Sequence, residues 1–257
     1  RKWRVGFVCT SDGWERGMAR RLTGGERVIS RHILCDFDGT IVLEDVTDAL
    51  LERFALPEWR ALEVAWQAGR IGSRACMSGQ IALLRVVPSE LDRYLDQLEI
   101  DPDFPAFVGH AHRLGWKVTV VSDGVDYAIR RILNRHGLGH LPVFANHLEH
   151  LDGDCYRLSF PHANPDCLPV SGTCKCHVAR QSGSMRILIG DGASDFCAAG
   201  AVQMVWAKDA LLRHCRERGL PHRPFSRFSD CLELLLSAGG ALPRASLSLP
   251  ARLTGTG

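Results

Sequence analysis

The sequence lacks any run approaching about 18 uninterrupted apolar residues, which excludes a membrane-spanning helix. It also lacks an excess of one charge, with 31 Lys and Arg against 29 Asp and Glu for a formal net charge of +2. That balance removes the electrostatic basis for a nucleic-acid binder or a polybasic membrane binder. No internal repeat is present, and no secretory leader is legible. The opening Arg1-Lys2-Trp3-Arg4 is basic, but Val5 to Cys9 is too short for the apolar region of a signal peptide. The cytoplasm is therefore the expected compartment, and free thiols are the expected state of the ten cysteines.

What remains is a chain of 257 residues, 46% hydrophobic and 23% charged, in the range of globular proteins. It is long enough for one large domain, or for a core domain carrying a smaller insert. Residues 1–30 lack periodicity and are expected to form a flexible leader. Residues 239–257, rich in Ser, Pro, Leu and Gly, are expected to form a flexible tail. Between them, short apolar runs bounded by Gly, Asp or Ser predict buried strands. These are Ile33 to Cys35, Val118 to Val121, Val143 to Ala145, Ile187 to Ile189 and Val202 to Trp206. Helical patterns at Phe104 to Leu114, Val125 to His136 and Asp209 to Arg218 each stop at a glycine. Strands alternating with helices predict an α/β fold with a mostly parallel sheet covered on both faces.

One stretch breaks that rhythm. From about Asp45 to Leu98 only helical spacing is visible, through Leu50 and Phe54, Leu62 and Trp66, Ile81 and Leu84, then Leu91 and Leu95, with Pro88-Ser89 opening the last helix. An insert this long directly after the first strand reads as a small helical lid. The division expected is a core of residues 31–44 and 100–238 with a helical cap of residues 45–99. Trp59 and Trp66, seven apart, read as a packing stripe before a substrate platform.

Three strand tips carry polar groups. The first strand runs into Asp36-Phe37-Asp38-Gly39-Thr40, two carboxylates at i and i+2 followed by a turn that offers backbone N–H groups to an anion. A carboxylate attacking phosphorus, with a second handling protons, is chemistry that wants this arrangement. By itself, however, Asp-Gly is also ordinary turn chemistry. Val118 to Val121 leads to Ser122-Asp123-Gly124, where a hydroxyl could meet a phosphate oxygen, although Ser-Asp-Gly is equally a plain turn. Ile187 to Ile189 leads to Gly190-Asp191, with Asp195 four residues on. Asp191 is placed to share a hard cation with Asp36, while Asp195 could equally cap the next helix. Lys175, about a dozen residues before the third strand, would neutralise phosphate charge. In parallel sheets such strand ends converge where ligands bind.

Taken in order, Asp36-x-Asp38-Gly-Thr, Ser122, Lys175 and Gly190-Asp191-x3-Asp195 resemble the haloacid dehalogenase superfamily. The resemblance runs from Ile33 to about Leu236 and implies a Rossmann-like core with a helical cap after the first strand, as in the branch that contains phosphoserine phosphatases. It implies a Mg²⁺-dependent phosphatase working on a small phosphorylated metabolite through an aspartyl-phosphate. Asp36 would be the nucleophile and Asp38 the acid and base. Asp36, the Asp38 carbonyl and Asp191 would hold the metal. Ser122, Asp123, Gly124 and Lys175 would surround the phosphate, and Asp195 would play a supporting part. The acid at Asp38 favours a phosphatase over a dehalogenase.

Pro57-Glu58-Trp59, the stretch from Phe160-Pro161-His162 to Lys175-Cys176, and Ala207-Lys208-Asp209 resemble one group in that branch. Its members hydrolyse 2-hydroxy-3-keto-5-methylthiopentenyl-1-phosphate in methionine salvage. Phosphoserine phosphatases carry a cap Arg where Gln80 stands here, although Asp45 could still meet an amino group. From another class comes a non-catalytic domain binding metal or ligand through Cys155, His162, Cys167, Cys174, Cys176 and His177. The Cys167-x6-Cys174-x-Cys176 spacing is not a usual zinc pattern, and reduced thiols lining a pocket wall are the expectation for that segment.

Overall fold

The computed structural model describes residues 30–167 and 170–238. The expected leader and tail lie outside those residues, Ser30 apart. Seven strands form one sheet in the order β4-β3-β2-β1-β5-β6-β7. They are β1 (Arg31–Cys35), β2 (Trp116–Val125), β3 (Val143–Asp152), β4 (Cys155–Ser159), β5 (Met185–Gly190), β6 (Met204–Ala207) and β7 (His222–Pro224). Every pair is parallel except the β3–β4 hairpin.

Alternation along the central strands explains why both faces are covered. Ile33, Cys35, Val118, Val120, Ile187, Ile189 and Trp206 enter one apolar core. Leu34, Val121, Leu188, Val205 and Ala207 enter another on the opposite side. Burial from two sides is why these strands read as continuous apolar runs.

Four helices separate β1 from β2 before the crossover helix: α1 (Val46–Phe54), α2 (Trp59–Gln67), α3 (Ser73–Ala82) and α4 (Pro88–Leu95). Asp45 caps the first, its carboxylate accepting the Asp48 N–H at 2.9 Å. Pro88 opens the last, where a missing N–H costs nothing. The two connections to this insert run side by side, with Val42 bridged antiparallel to Ile100 and the Asp101 N–H donating to the Ile41 carbonyl at 2.8 Å. Trp59 is buried, whereas Trp66 is 44% exposed and takes no part in a packing stripe with it.

The remaining helices are α5 (Phe104–Arg113), α6 (Asp126–Arg135), α7 (Lys175–Gln181), α8 (Phe196–Ala199), α9 (Asp209–Arg218) and α10 (Phe228–Ala238). As the glycine signals predicted, α5, α6 and α9 are each followed by a glycine of positive φ, at Gly115, Gly137 and Gly219.

Two strands were not expected. Strand β7 is a three-residue edge, and β4 returns from β3 through a turn at Gly153. Strand β2 also continues past the expected turn at Ser122-Asp123-Gly124 to Val125, with a register shift between Val121 and Val125. Strand β6 begins at Met204 rather than Val202.

Asp101 is a buried acid whose two oxygens accept the Asp103 N–H at 2.9 Å and the Phe228 N–H at 3.0 Å, tying α10 to the insert's exit. Asp101→Ala strands both donors. It is expected to cost about 1–3 kcal/mol, seen as a lower urea midpoint with unchanged activity at saturating substrate.

Candidate active site

The centre of the site lies at the C-terminal end of β1, between β2 and β5, where the chain turns from one side of the sheet to the other. Asp36 extends β1 by one residue, its N–H donating to the Ile189 carbonyl at 2.9 Å. The carboxylates of Asp36, Asp191 and Asp195 come within 4.8 Å of one another. Lys175, at the start of α7, reaches into the same place. Its Nζ lies 2.6 Å from Asp36 Oδ2 and 2.8 Å from Asp195 Oδ1. It also donates to Ser194 Oγ at 2.9 Å. Lys175 and Asp195 are fully enclosed, so this triad stands in a low dielectric.

Charge is unbalanced there. One ammonium faces two carboxylates, with Asp191 close by. Burial, and then the Asp36 charge, push the Asp195 acid up to about 8. Burial raises Asp191 as well. Burial alone would lower Lys175, but Asp195 and Asp36 hold its ammonium protonated well above the ordinary lysine range.

Asp38 faces β2. Its Oδ1 accepts the Val46 N–H at 2.9 Å, and its Oδ2 accepts the Ser122 hydroxyl at 3.3 Å. Burial and then the charge of Asp45 push the Asp38 acid up to about 8, which favours its protonated form. Gly124 makes this approach possible, since a Cβ there would sit 2.6 Å from Asp38 Oδ2, and its own N–H donates to Ser122 Oγ at 2.9 Å. Gly39 is required twice over. Its φ is +66°, and a Cβ would lie 2.6 Å from Asp191 Oδ2.

Asp123, expected beside the phosphate, is engaged by neighbouring protein groups. Its Oδ1 accepts the Thr173 N–H at 2.8 Å, and Asn146 Nδ2 donates to its backbone carbonyl. Thr173 Oγ1 in turn donates to Asn146 Oδ1 at 3.2 Å. Asp123 thus fastens the loop that delivers Lys175. Asp45 likewise has a structural partner in the α1 cap. Gln80 is buried, with its Nε2 donating to Glu63 Oε2 at 3.0 Å.

Several residues were not found from sequence. Thr40 belongs to the predicted motif, and its hydroxyl donates to Asp191 Oδ1 at 2.7 Å. Asn146 and Thr173 had no local signal, since both act through tertiary contacts. Thr47 carries a buried hydroxyl with no partner among the described residues, 3.5 Å from where a Cβ at Gly124 would stand.

The Cys and His window does not assemble as read. Cys155 is on β4, the His162 ring packs edge-on against Phe144, and His177 is exposed with Asn164 and Gln181 beside it. Cys167 and Cys176 instead meet Cys197, which lies outside the window, and Cys174 lies against Cys176.

A parallel sheet with a helical insert after β1, and acids meeting at one strand end, define a hydrolase of the haloacid dehalogenase type. The model of haloacid dehalogenase-like hydrolases matches residues 33–200, and the chain belongs to that family. Two relatives share its sequence over most of their length, both of them 2-hydroxy-3-keto-5-methylthiopentenyl-1-phosphate phosphatases. That of an Exiguobacterium species is 35% identical over 211 residues, covering 79% of this chain and 95% of the relative. That of Geobacillus kaustophilus is 33% identical over 213 residues, covering 79% and 94%. Among solved structures, a phospho-aspartyl intermediate analogue of phosphoserine phosphatase superposes with a TM-score of 0.61 at 18% identity. It covers 80% of this chain and 99% of that one, a likeness of fold.

Proposed function

We propose that this phosphomonoester hydrolase works through an aspartyl-phosphate on Asp36 and acts on 2-hydroxy-3-keto-5-methylthiopentenyl-1-phosphate in methionine salvage. The observation that carries the mechanism is the pairing of a carboxylate ion-paired to Lys175, Asp36, with a second carboxyl two residues on, Asp38, which the Val46 N–H and the Ser122 hydroxyl hold in place. In the first step an Asp36 oxygen forms a bond to phosphorus as the ester P–O bond breaks. Asp38 gives its proton to the departing alkoxide, releasing the alcohol. In the second step a water attacks phosphorus, Asp38 takes its proton, and inorganic phosphate leaves as the Asp36 carboxylate is restored. Lys175 and Ser122 hold phosphate oxygens, and the Thr47 hydroxyl, without a partner among the described residues, stands ready to join them. Asp123, through Thr173, keeps Lys175 in place. The α1–α4 insert serves as a cap that excludes bulk water, with the paired connections at Val42 and Ile100 as its base.

The donor set suits Mg²⁺. Asp36, Asp191 and Asp195 are hard oxygen ligands in reach of one another, and burial, with the Asp36 charge beside them, raises the acids of Asp191 and Asp195, so a cation there would be favoured. Asp36 and Asp191, with the Asp38 carbonyl, would hold the ion, and Asp195 would support it. When bound, it would supply positive charge to the phosphoryl oxygens.

For the substrate, the support is the relatives' shared identity at 35% and 33%. Gln80, bound to Glu63, adds to it by standing where a phosphoserine phosphatase would need an Arg. Phosphoserine is the second reading, favoured by Asp45, which caps α1, and Asp48 in its first turn, which suit an ammonium group. The test is phosphate release from both esters. The methylthio ester is expected to give the higher kcat/KM, with activity lost in EDTA and restored by Mg²⁺. A preference for phosphoserine would overturn the substrate, and full activity in EDTA would overturn the metal.

A further inference from the structure

Outside the phosphate site, the chain gathers four thiols from two separate segments. The Sγ atoms of Cys167, Cys176 and Cys197 lie within 4.8 Å of one another, and Cys174 Sγ is 3.4 Å from Cys176 Sγ. Cys167, Cys174 and Cys176 are buried, and Cys197 is half-buried. We propose that Cys167, Cys174, Cys176 and Cys197 form a soft-metal site that holds one Zn²⁺.

A Zn–S bond of about 2.3 Å places neighbouring sulfurs about 3.8 Å apart; Cys167, Cys176 and Cys197 already share one 4.8 Å neighbourhood, and Cys174, against Cys176 at 3.4 Å, would complete four ligands by turning toward the other two. Arg180 adds positive charge, its Nη1 lying 3.7 Å from Cys176 Sγ. Binding would convert four thiols to four thiolates, releasing four protons to solvent as the four Zn–S bonds form. No oxidant is needed.

The site would clip together the segments that feed the phosphate centre. Cys174 and Cys176 flank Lys175, and Cys197 follows Asp195 by two residues, so one ion would fix the backbone on both sides of the Lys175–Asp195 pair. The sequence conceals this because the fourth thiol comes from α8, beyond β5, and the spacing of the first three matches no familiar zinc knuckle.

The test uses the full chain, reduced, stripped of metal and loaded with Co²⁺. One Co²⁺ per chain with intense thiolate-to-metal absorption is expected, and Zn²⁺ should displace it. The carboxylates around Asp36 cannot give that absorption, so the result is independent of the phosphatase mechanism. Cys176→Ser and Cys197→Ser should each weaken Co²⁺ binding beyond the roughly 10–100-fold typical of losing an outer partner, while Cys155→Ser should not. Should those variants fail to fold, the wild-type protein still decides. Zn²⁺ should shield four thiols, those at 167, 174, 176 and 197, from a thiol reagent. Absence of the charge-transfer band, its persistence in both Ser variants, equal thiol reactivity with and without Zn²⁺, or a disulfide within the cluster in freshly isolated protein would overturn the proposal.

Discussion

Replacing Asp36 by Asn is expected to abolish turnover while leaving the fold at least as stable as before. An amide cannot form the acyl-phosphate, and removing one member of a cooperating catalytic set commonly costs on the order of ten-thousandfold or more in kcat. Acid-quenched wild-type enzyme should retain labelled phosphate on the chain, and the variant should retain none. Stability should move the other way, for an electrostatic reason. Asp36 and Asp195 share one ammonium in a buried site, and Asp36 is the neighbour that pushes the Asp195 acid up. Without the Asp36 charge, Lys175 and Asp195 are left as a balanced pair. Asn keeps an oxygen for the Phe37 N–H, which Asp36 Oδ1 accepts at 2.8 Å. Metal-free unfolding in urea should therefore show a midpoint unchanged or raised by on the order of 1 kcal/mol, the scale of about one pKa unit. A clear drop in stability together with residual phosphate trapping would remove Asp36 from the nucleophile's place.

This opposition between function and stability was partly legible in the chain itself. Asp36 and Asp191 end apolar runs, and in a sheet covered on both faces such runs are buried strands whose tips must lie together. Local order therefore sufficed to bring them to one end of the sheet. Lys175 was legible only in company, because nothing about a lysine between two cysteines announces burial. Its environment is assembled by tertiary contacts from Asn146 on β3, Asp123 on β2 and Thr173, which leave no periodic trace. Strand β4 did leave one. Tyr156 and Leu158 face inward while Arg157 and Ser159 face out, after an Asp152-Gly153 turn, which is the alternation of a half-covered edge strand. Strand β7, with Pro224 at its end and two exposed residues, offered no pattern, and edge strands of this kind are short by nature. The thiol cluster escaped for a different reason: three of its members are near in sequence, but Cys197 arrives only after β5 has crossed beside β1.

Lys175→Met should do the reverse of Asp36→Asn, losing stability as well as activity. Methionine keeps most of the volume, so packing changes little, but two enclosed carboxylates lose their common partner. Stranding buried charge in this way typically costs about 3–5 kcal/mol, against the near-neutral effect of removing Asp36. The pH dependence follows from the raised acid at Asp195, already at about 8 with the lysine present and pushed further without it. An acid whose folded value exceeds its unfolded one supplies stability at low pH and withdraws it as pH rises through the folded value. The Lys175→Met defect should accordingly be smallest near pH 5 and widest above pH 8, measured by urea unfolding in EDTA. Adding Asp36→Asn to Lys175→Met should restore part of the loss, because only one buried carboxylate then lacks a partner. A double variant no more stable than Lys175→Met alone, or a defect independent of pH, would mean that Lys175 holds the fold through packing and not through charge.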